Sequence, residues 1–144
     1  MQLTVDYLSK AGGFTGGPVK RQVTYHGVIN PEAVEKGEPP EFGDVVADVW
    51  IRPMSYHTAV KDVSAYQSGA DIVAHRLAAC VCHEDGSPVF QVSDITGVND
   101  DGEPVMVKGP DGNLIERGPL NKTISDALMT LVSEVSGLGK TKAS

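Results

Sequence analysis

The residues of this chain best suited to chemistry begin with Cys80-Val81-Cys82-His83, where thiols and an imidazole crowd a short run. Both groups are ligands that zinc prefers, yet on a helix Cys80 and Cys82 point about 200° apart and cannot close on one ion. Neither a CxxC nor an HxxxH spacing is present. The expectation is that Cys80 is a small buried apolar residue and that Cys82 lies near a helix end. His26, His57, His75 and His83 fall in four different predicted elements, and no Gly-x-Ser-x-Gly nucleophile elbow accompanies them. A small hydrolase or metal-dependent redox domain using His75, Cys80 and Cys82 is thus the enzyme alternative, without a recurring acid partner to support it.

Two further segments invite a ligand. Gly137-Leu138-Gly139-Lys140-Thr141 has the ending of a phosphate loop, but the first glycine of that motif would fall at Glu134. The segment also follows a predicted helix, whose C-terminal end carries the negative pole of the dipole and repels phosphate. Asn99-Asp100-Asp101-Gly102-Glu103 is acidic enough for calcium but lacks the alternating ligands and distal glutamate of an EF-hand loop, so it reads as a solvated turn. No catalytic residue, metal or cofactor is expected.

The elements that would position any site follow from periodicity. Val19 to His26 alternates, with Val19, Val23 and Tyr25 on one side; Val45 to Arg52 repeats the signal, with Val45, Ala47, Val49 and Ile51 together, and Pro53 ends it. These strands should pair antiparallel. The intervening 28–43 carries Glu32, Glu35, Glu38 and Glu41 with Pro31, Pro39 and Pro40, too little apolar surface to offset its ordering entropy, and reads as a long acidic hairpin loop. N-terminal to the hairpin, Thr4 can cap two helical turns ending in a glycine-rich break, a docked arm with a flexible turn.

After Pro53 the period becomes 3.6. Ser55 can cap a helix bearing Tyr56, Ala59, Val60 and Val63 and stopping at Gly69, and a second helix should run from about Ala70 to Cys82, making a helical hairpin. Three Asp-Gly phrases, at Asp85, Asp101 and Asp111, are hairpin punctuation, the last two forming a β-excursion over 98–118. Ser93 to Gly97 should be one helical turn closed by glycine. The last helix is marked by Ile124, Ala127, Leu128, Leu131, Val132 and Val135, with Thr123 and Asp126 as a capping box and Gly137 as its stop. The whole reads as one α+β domain over 1–140: an N-terminal β-hairpin, a helical hairpin, a short β-excursion and a C-terminal amphipathic helix, followed by a disordered tail at 141–144.

The helical stripes are either core or grooves for a partner. On the second reading the partner-binding residues are Trp50, Tyr56, Val60, Leu128 and Leu131; Trp50, the chain's single tryptophan, is equally well a strand residue covered by the first helix. Composition supports a binding component. At 144 residues the chain can bury a core without disulfide or metal, and its cysteines suit a reducing compartment. Its 12 basic against 19 acidic residues give a net charge of -7, the wrong sign for nucleic acid or an anionic membrane surface. No signal-peptide core or membrane span stands out, so the expected place is the cytoplasm where it is made.

Several phrases taken in order carry a family resemblance: Leu3-Thr4-Val5-Asp6-Tyr7-Leu8, Gly13-Phe14-Thr15-Gly16-Gly17-Pro18-Val19, Ile51-Arg52-Pro53-Met54-Ser55-Tyr56, Asp85-Gly86-Ser87-Pro88-Val89-Phe90, Asp94-Ile95-Thr96-Gly97 and Glu134-Val135-Ser136-Gly137-Leu138-Gly139-Lys140. The chain resembles the tail assembly chaperones of long-tailed bacteriophages and prophages over nearly its whole length. The resemblance implies a non-enzymatic protein of the infected bacterium's cytoplasm, absent from the finished virion. It would bind the tape measure protein, keep it soluble and help recruit tail tube subunits. Homo-oligomers, as rings or spirals, belong to the same expectation, as does a frameshifted longer product if the codons of Gly139-Lys140 form a slippery run. No functional residue is transferred by it. The alternative is a structural minor tail or tail-completion protein retained in the virion.

Overall fold

A computed structural model describes residues 2–56, 58–59 and 71–137 and shows an α+β fold. In chain order its elements are α1 (Val5–Lys10), β1 (Val19–Val28), α2 (Pro31–Glu35), β2 (Phe42–Ile51), α3 (Ile72–Cys80), β3 (Val81–Cys82), α4 (Val92–Thr96), β4 (Met106–Lys108), β5 (Leu114–Glu116) and α5 (Lys122–Ser136). The strands β1, β2 and β3 form one antiparallel sheet in that order, and β4 pairs with β5 in a separate ribbon.

The expected N-terminal hairpin is present and longer than its alternating runs. β1 and β2 pair from Val19↔Ile51 through Val23↔Ala47 and Tyr25↔Val45 to Val28↔Phe42. Odd-numbered residues of both strands therefore share one face, on which Val23, Val49 and Ile51 are buried. The acidic connection is correspondingly shorter than 28–43 and more ordered than its composition implied. Pro31 opens α2 at a position where its missing N–H costs nothing. Asn30 then closes the loop: its Nδ2 donates to the Pro39 carbonyl at 3.1 Å and its Oδ1 accepts from the Glu41 N–H at 2.8 Å. Composition missed this because the order comes from a few directed hydrogen bonds, not from apolar area. Asn30→Ala removes both, each worth about 0.5–1.5 kcal/mol. Tryptic cleavage after Lys36 should accelerate several-fold while the global melting temperature moves little, because the loop lies outside the core.

The second helix of the expected pair is shorter than Ala70–Cys82. Asp71 caps it, Oδ1 accepting from the Ala74 N–H at 2.9 Å, and it ends at Cys80. Val81 turns extended, and Val81 and Cys82 pair with Ile51 and Trp50 as β3. A β-branched residue gains a ladder partner here that a further helical turn would not supply. The first helix of that pair is described only at its start: Tyr56, Thr58 and Ala59 are helical, and the Thr58 Oγ1 accepts from the Ser55 N–H at 2.7 Å. Val60, Val63, Gly69 and the expected tail at 141–144 lie outside the described residues.

α5 follows its predicted stripe, but the capping differs. Asn121, not Thr123, is the N-cap, its side chain accepting from the Thr123 N–H at 2.8 Å. The Thr123 hydroxyl donates to the Asn121 Oδ1 at 2.6 Å, with the His26 carbonyl at 3.3 Å as a second acceptor, and itself accepts from the His26 N–H on β1 at 3.1 Å. At its other end, the Ser136 Oγ accepts from the Met54 N–H at 2.9 Å, so α5 crosses the sheet obliquely from the β1 edge to the end of β2. Leu128 and Val132 seal it onto Ile51, Leu77 and Val81 in the core.

Asp-Gly turns close at His83–Ser87, Asn99–Glu103 and Gly109–Asn113, the last spanning the β4–β5 hairpin within the 98–118 excursion. The Asp85 and Asp111 carboxylates accept hydrogen bonds from Ser87 and Asn113, which hold both below the usual carboxylate range. α4 is the expected single turn; Gly97 ends it at φ 81°, where a Cβ would stand 2.6 Å from the Pro119 nitrogen. One arm differs from expectation. α1 forms as read, with Thr4 Oγ1 accepting from the Tyr7 N–H at 3.0 Å, but it buries nothing and is not docked: Leu3, Val5, Tyr7 and Phe14 are exposed.

Candidate functional site

The thiol cluster is dispersed by the fold into packing roles. Cys80 closes α3 and Cys82 sits in β3, both buried and unoxidised. The Cys82 Sγ donates to the Trp50 carbonyl at 3.5 Å, and burial pushes its thiol up, away from the thiolate a nucleophile or metal ligand needs. Among the described residues no group of three or more His, Cys, Asp and Glu converges as metal ligands would. No described helix is long and apolar enough to cross a membrane.

What the fold assembles instead is an apolar cleft of about 230 Å³ on the α5 side of the sheet. Val23, Ala47 and Val49 share its sheet face, Ile124 and Leu128 come from α5, and Phe90 from the segment before α4. Its volume falls below the roughly 300–1,000 Å³ of small-molecule sites, a size suited to the side chains of a docked segment. A larger space of about 380 Å³, bordered by Thr15, Arg52, Ser55 and Thr58, is mixed in polarity, and its Arg52 guanidinium already donates to the Gly86 carbonyl at 2.9 Å.

The cleft brings together two of the five residues singled out for partner binding. Leu128 lines it but is only 2% exposed, so its main contacts are within the core. Trp50 borders it from the next position along β2 after Val49, and on the opposite face of the sheet the Lys20 ammonium stands 5.5 Å from its ring centroid and 3.8 Å from the Asp48 carboxylate. Leu131 is half-buried against the core, Tyr56 is 80% exposed away from the cleft lining, and Val60 is outside the described residues. Ala47 and Phe90 were not singled out from sequence. Ala47 was legible as a member of the Val45–Ile51 face; Phe90 lay in no periodic element, so nothing local marked it.

A second apolar strip runs along the other face of β2. Phe42 and Val46 are exposed there, on the same side of the strand as Trp50, and the His26 ring stacks on Phe42 with centroids 6.2 Å apart. The hairpin therefore carries apolar side chains on both faces, those on one face packed beneath α5 and Phe42 and Val46 on the other exposed among polar and charged neighbours. Exposed apolar surface of this kind marks sites of association.

Comparison with known proteins agrees with an association role. A family model described as phage tail assembly chaperone, TAC, matches residues 6–136. No curated protein and no solved structure matches the chain significantly.

Proposed function

This chain belongs to the family of phage tail assembly chaperones, and on that premise we propose that it binds the tape measure protein, keeps it soluble and helps recruit tail tube subunits around it. Members of the family are generally non-catalytic, and their partners are phage tail proteins. The observation that carries the finer reading is the apolar cleft between β2, α5 and Phe90. A tape measure protein presents long apolar helical faces until the tube covers them, and a small apolar cleft can hold such a face by a few side chains. Each large side chain inserted contributes roughly 1.5–3 kcal/mol at full burial, enough for capture and weak enough for release when the tube competes.

The -7 charge of the chain keeps chaperone-coated assemblies from coalescing. The open strip at Phe42 and Val46 faces away from the cleft, so a chain holding the tape measure retains a second apolar surface for a tube subunit. We place the protein in the host cytoplasm and outside the mature virion, since a chaperone that stayed bound would block the tube.

Co-expression with the tape measure protein encoded by the same phage tests this. The expected result is a tape measure protein that is soluble only in the presence of this chain and co-purifies with it, while purified virions lack the chain. A chain that fails to capture the tape measure and persists in virions would establish the alternative, a structural minor tail or tail-completion protein.

A further inference from the structure

We propose that two copies of this chain join through the free edge of β1, pairing antiparallel about a two-fold axis at Gln22 into one continuous sheet. This goes beyond the chaperone reading and does not depend on the cleft.

The direction of the backbone groups on β1 follows from two contacts. In an antiparallel pair, alternate residues of a strand turn both N–H and carbonyl toward the partner, and the residues between turn theirs away. His26 bonds the Thr123 hydroxyl with its N–H and carbonyl, so it is one of those facing away from β2. Lys20, Gln22 and Thr24 share that phase, and the Arg21 guanidinium reaching the Lys20 carbonyl at 3.0 Å agrees with it. Apart from that exposed contact, no partner is present for this row among the described residues, and Lys20, Gln22 and Thr24 are solvent-exposed. α5 leaves the row uncovered because it starts at His26 and crosses obliquely toward Met54.

The length of the free row selects its occupant. At one end the Thr123 hydroxyl already occupies the His26 N–H; at the other Pro18, which would oppose His26, has no N–H to give its carbonyl. Between these stops only Lys20, Gln22 and Thr24 offer outward groups, and that set is symmetric about Gln22. A second β1 laid antiparallel therefore matches it end to end: Gln22 opposes Gln22, Lys20 opposes Thr24, and Thr24 opposes Lys20. Each opposed pair exchanges both bonds, so the ladder holds about six backbone hydrogen bonds. The charges permit it. Lys20 faces a threonine and Arg21 faces Val23, so no like charges stand directly opposite, as they would if the register centred on Arg21; the two copies of Arg21 are diagonal neighbours about 7–8 Å apart, whose exposed heads can splay into solvent. The row contains no proline, glycine or bulge; its one lysine, Lys20, a residue type that guards edges, is held over the Trp50 ring and beside Asp48, and the flexible Arg21 head needs only to swing aside.

The register makes a specific test. Directly opposed residues in such a ladder have Cα atoms about 5.5 Å apart, within disulfide range, whereas the two copies of Lys20 are separated by about four residues of strand. Under mild oxidation of the full chain, Gln22→Cys should cross-link to a covalent dimer. Lys20→Cys alone should not, and a mixture of Lys20→Cys with Thr24→Cys should. Cys80 and Cys82 are buried and do not compete. By light scattering the unmodified chain should be dimeric at micromolar concentration. Gln22→Pro should be monomeric with unchanged circular dichroism, since it deletes only an outward N–H and leaves the β1–β2 ladder whole. A monomeric unmodified chain, or cross-linking of Lys20→Cys as readily as Gln22→Cys, would overturn the proposal. Neither result bears on the chaperone reading, for the monomeric Gln22→Pro chain keeps its cleft and should still capture the tape measure protein.

Discussion

Leu128→Ala should destabilise the folded chain by about 2–5 kcal/mol, the usual range for emptying a well-packed leucine site. Leu128 is 2% exposed and packs with Ile51, Leu77 and Val132 where α5 meets the sheet. The substitution removes apolar contact from both sides of that joint, and the oblique path of α5, tied at Thr123 and Ser136, limits how far the helix can collapse into the space. In a domain whose total stability is of order 5–15 kcal/mol the loss is large. Calorimetry should show a melting temperature lower by about 2–4 °C for each kcal/mol lost. Leu131→Ala, at a half-buried position one residue-turn away, should cost distinctly less. If Leu128 served a partner alone, its replacement would weaken binding and leave the melting temperature where it was.

Ala47→Asp should reduce recovery of co-purified tape measure protein at least tenfold while the chain stays folded. Ala47 is exposed in the unliganded chain and lies on the sheet side of the apolar cleft. An aspartate there is hydrated until a partner closes over it, so the fold tolerates it. On docking, the carboxylate must lose its water in a cleft whose lining holds Asp48 and His83 but no lysine or arginine, and burying an unpaired charge costs several kcal/mol. Tenfold corresponds to only about 1.4 kcal/mol, well within that cost. Val46→Asp is the matched control, since Val46 is the adjacent residue on the opposite, open face of β2. Equal capture by Ala47→Asp and the unmodified chain would exclude the cleft as the tape measure site.

The five residues singled out for contact show how far local pattern reached into the site. Leu128 and Leu131 belong to one helical stripe, and periodicity identifies such a stripe without saying what covers it. The sheet covers it at Leu128 and only partly at Leu131. Trp50 was legible as the chain's single tryptophan, on the mixed face of its strand, and it borders the cleft. Phe90 was not legible, because its place depends on the turn at His83–Ser87 returning the chain beside β3, where the Val89 N–H reaches the Val81 carbonyl at 3.3 Å. The row of free groups on β1 was equally invisible. Its phase follows from the register with β2 and from the Thr123 hydroxyl, a contact across 97 positions of chain.

By itself the sequence determined the elements whose causes are local. Alternation in Val19–His26 and Val45–Arg52, the 3.6-residue stripe from Ile124 to Val135, and the glycine stops at Gly97 and Gly137 all act through neighbours a few residues apart. Tertiary structure alone decided the conversion of Val81-Cys82 from helix to strand, the tie between the Thr123 hydroxyl and the His26 N–H, the ordering of 29–41 by Asn30, and the cleft itself. The first three are hydrogen bonds to residues distant in the chain, in competition with the bonds that local structure or water would supply. Such a competition is settled by which partner the packed core brings within reach.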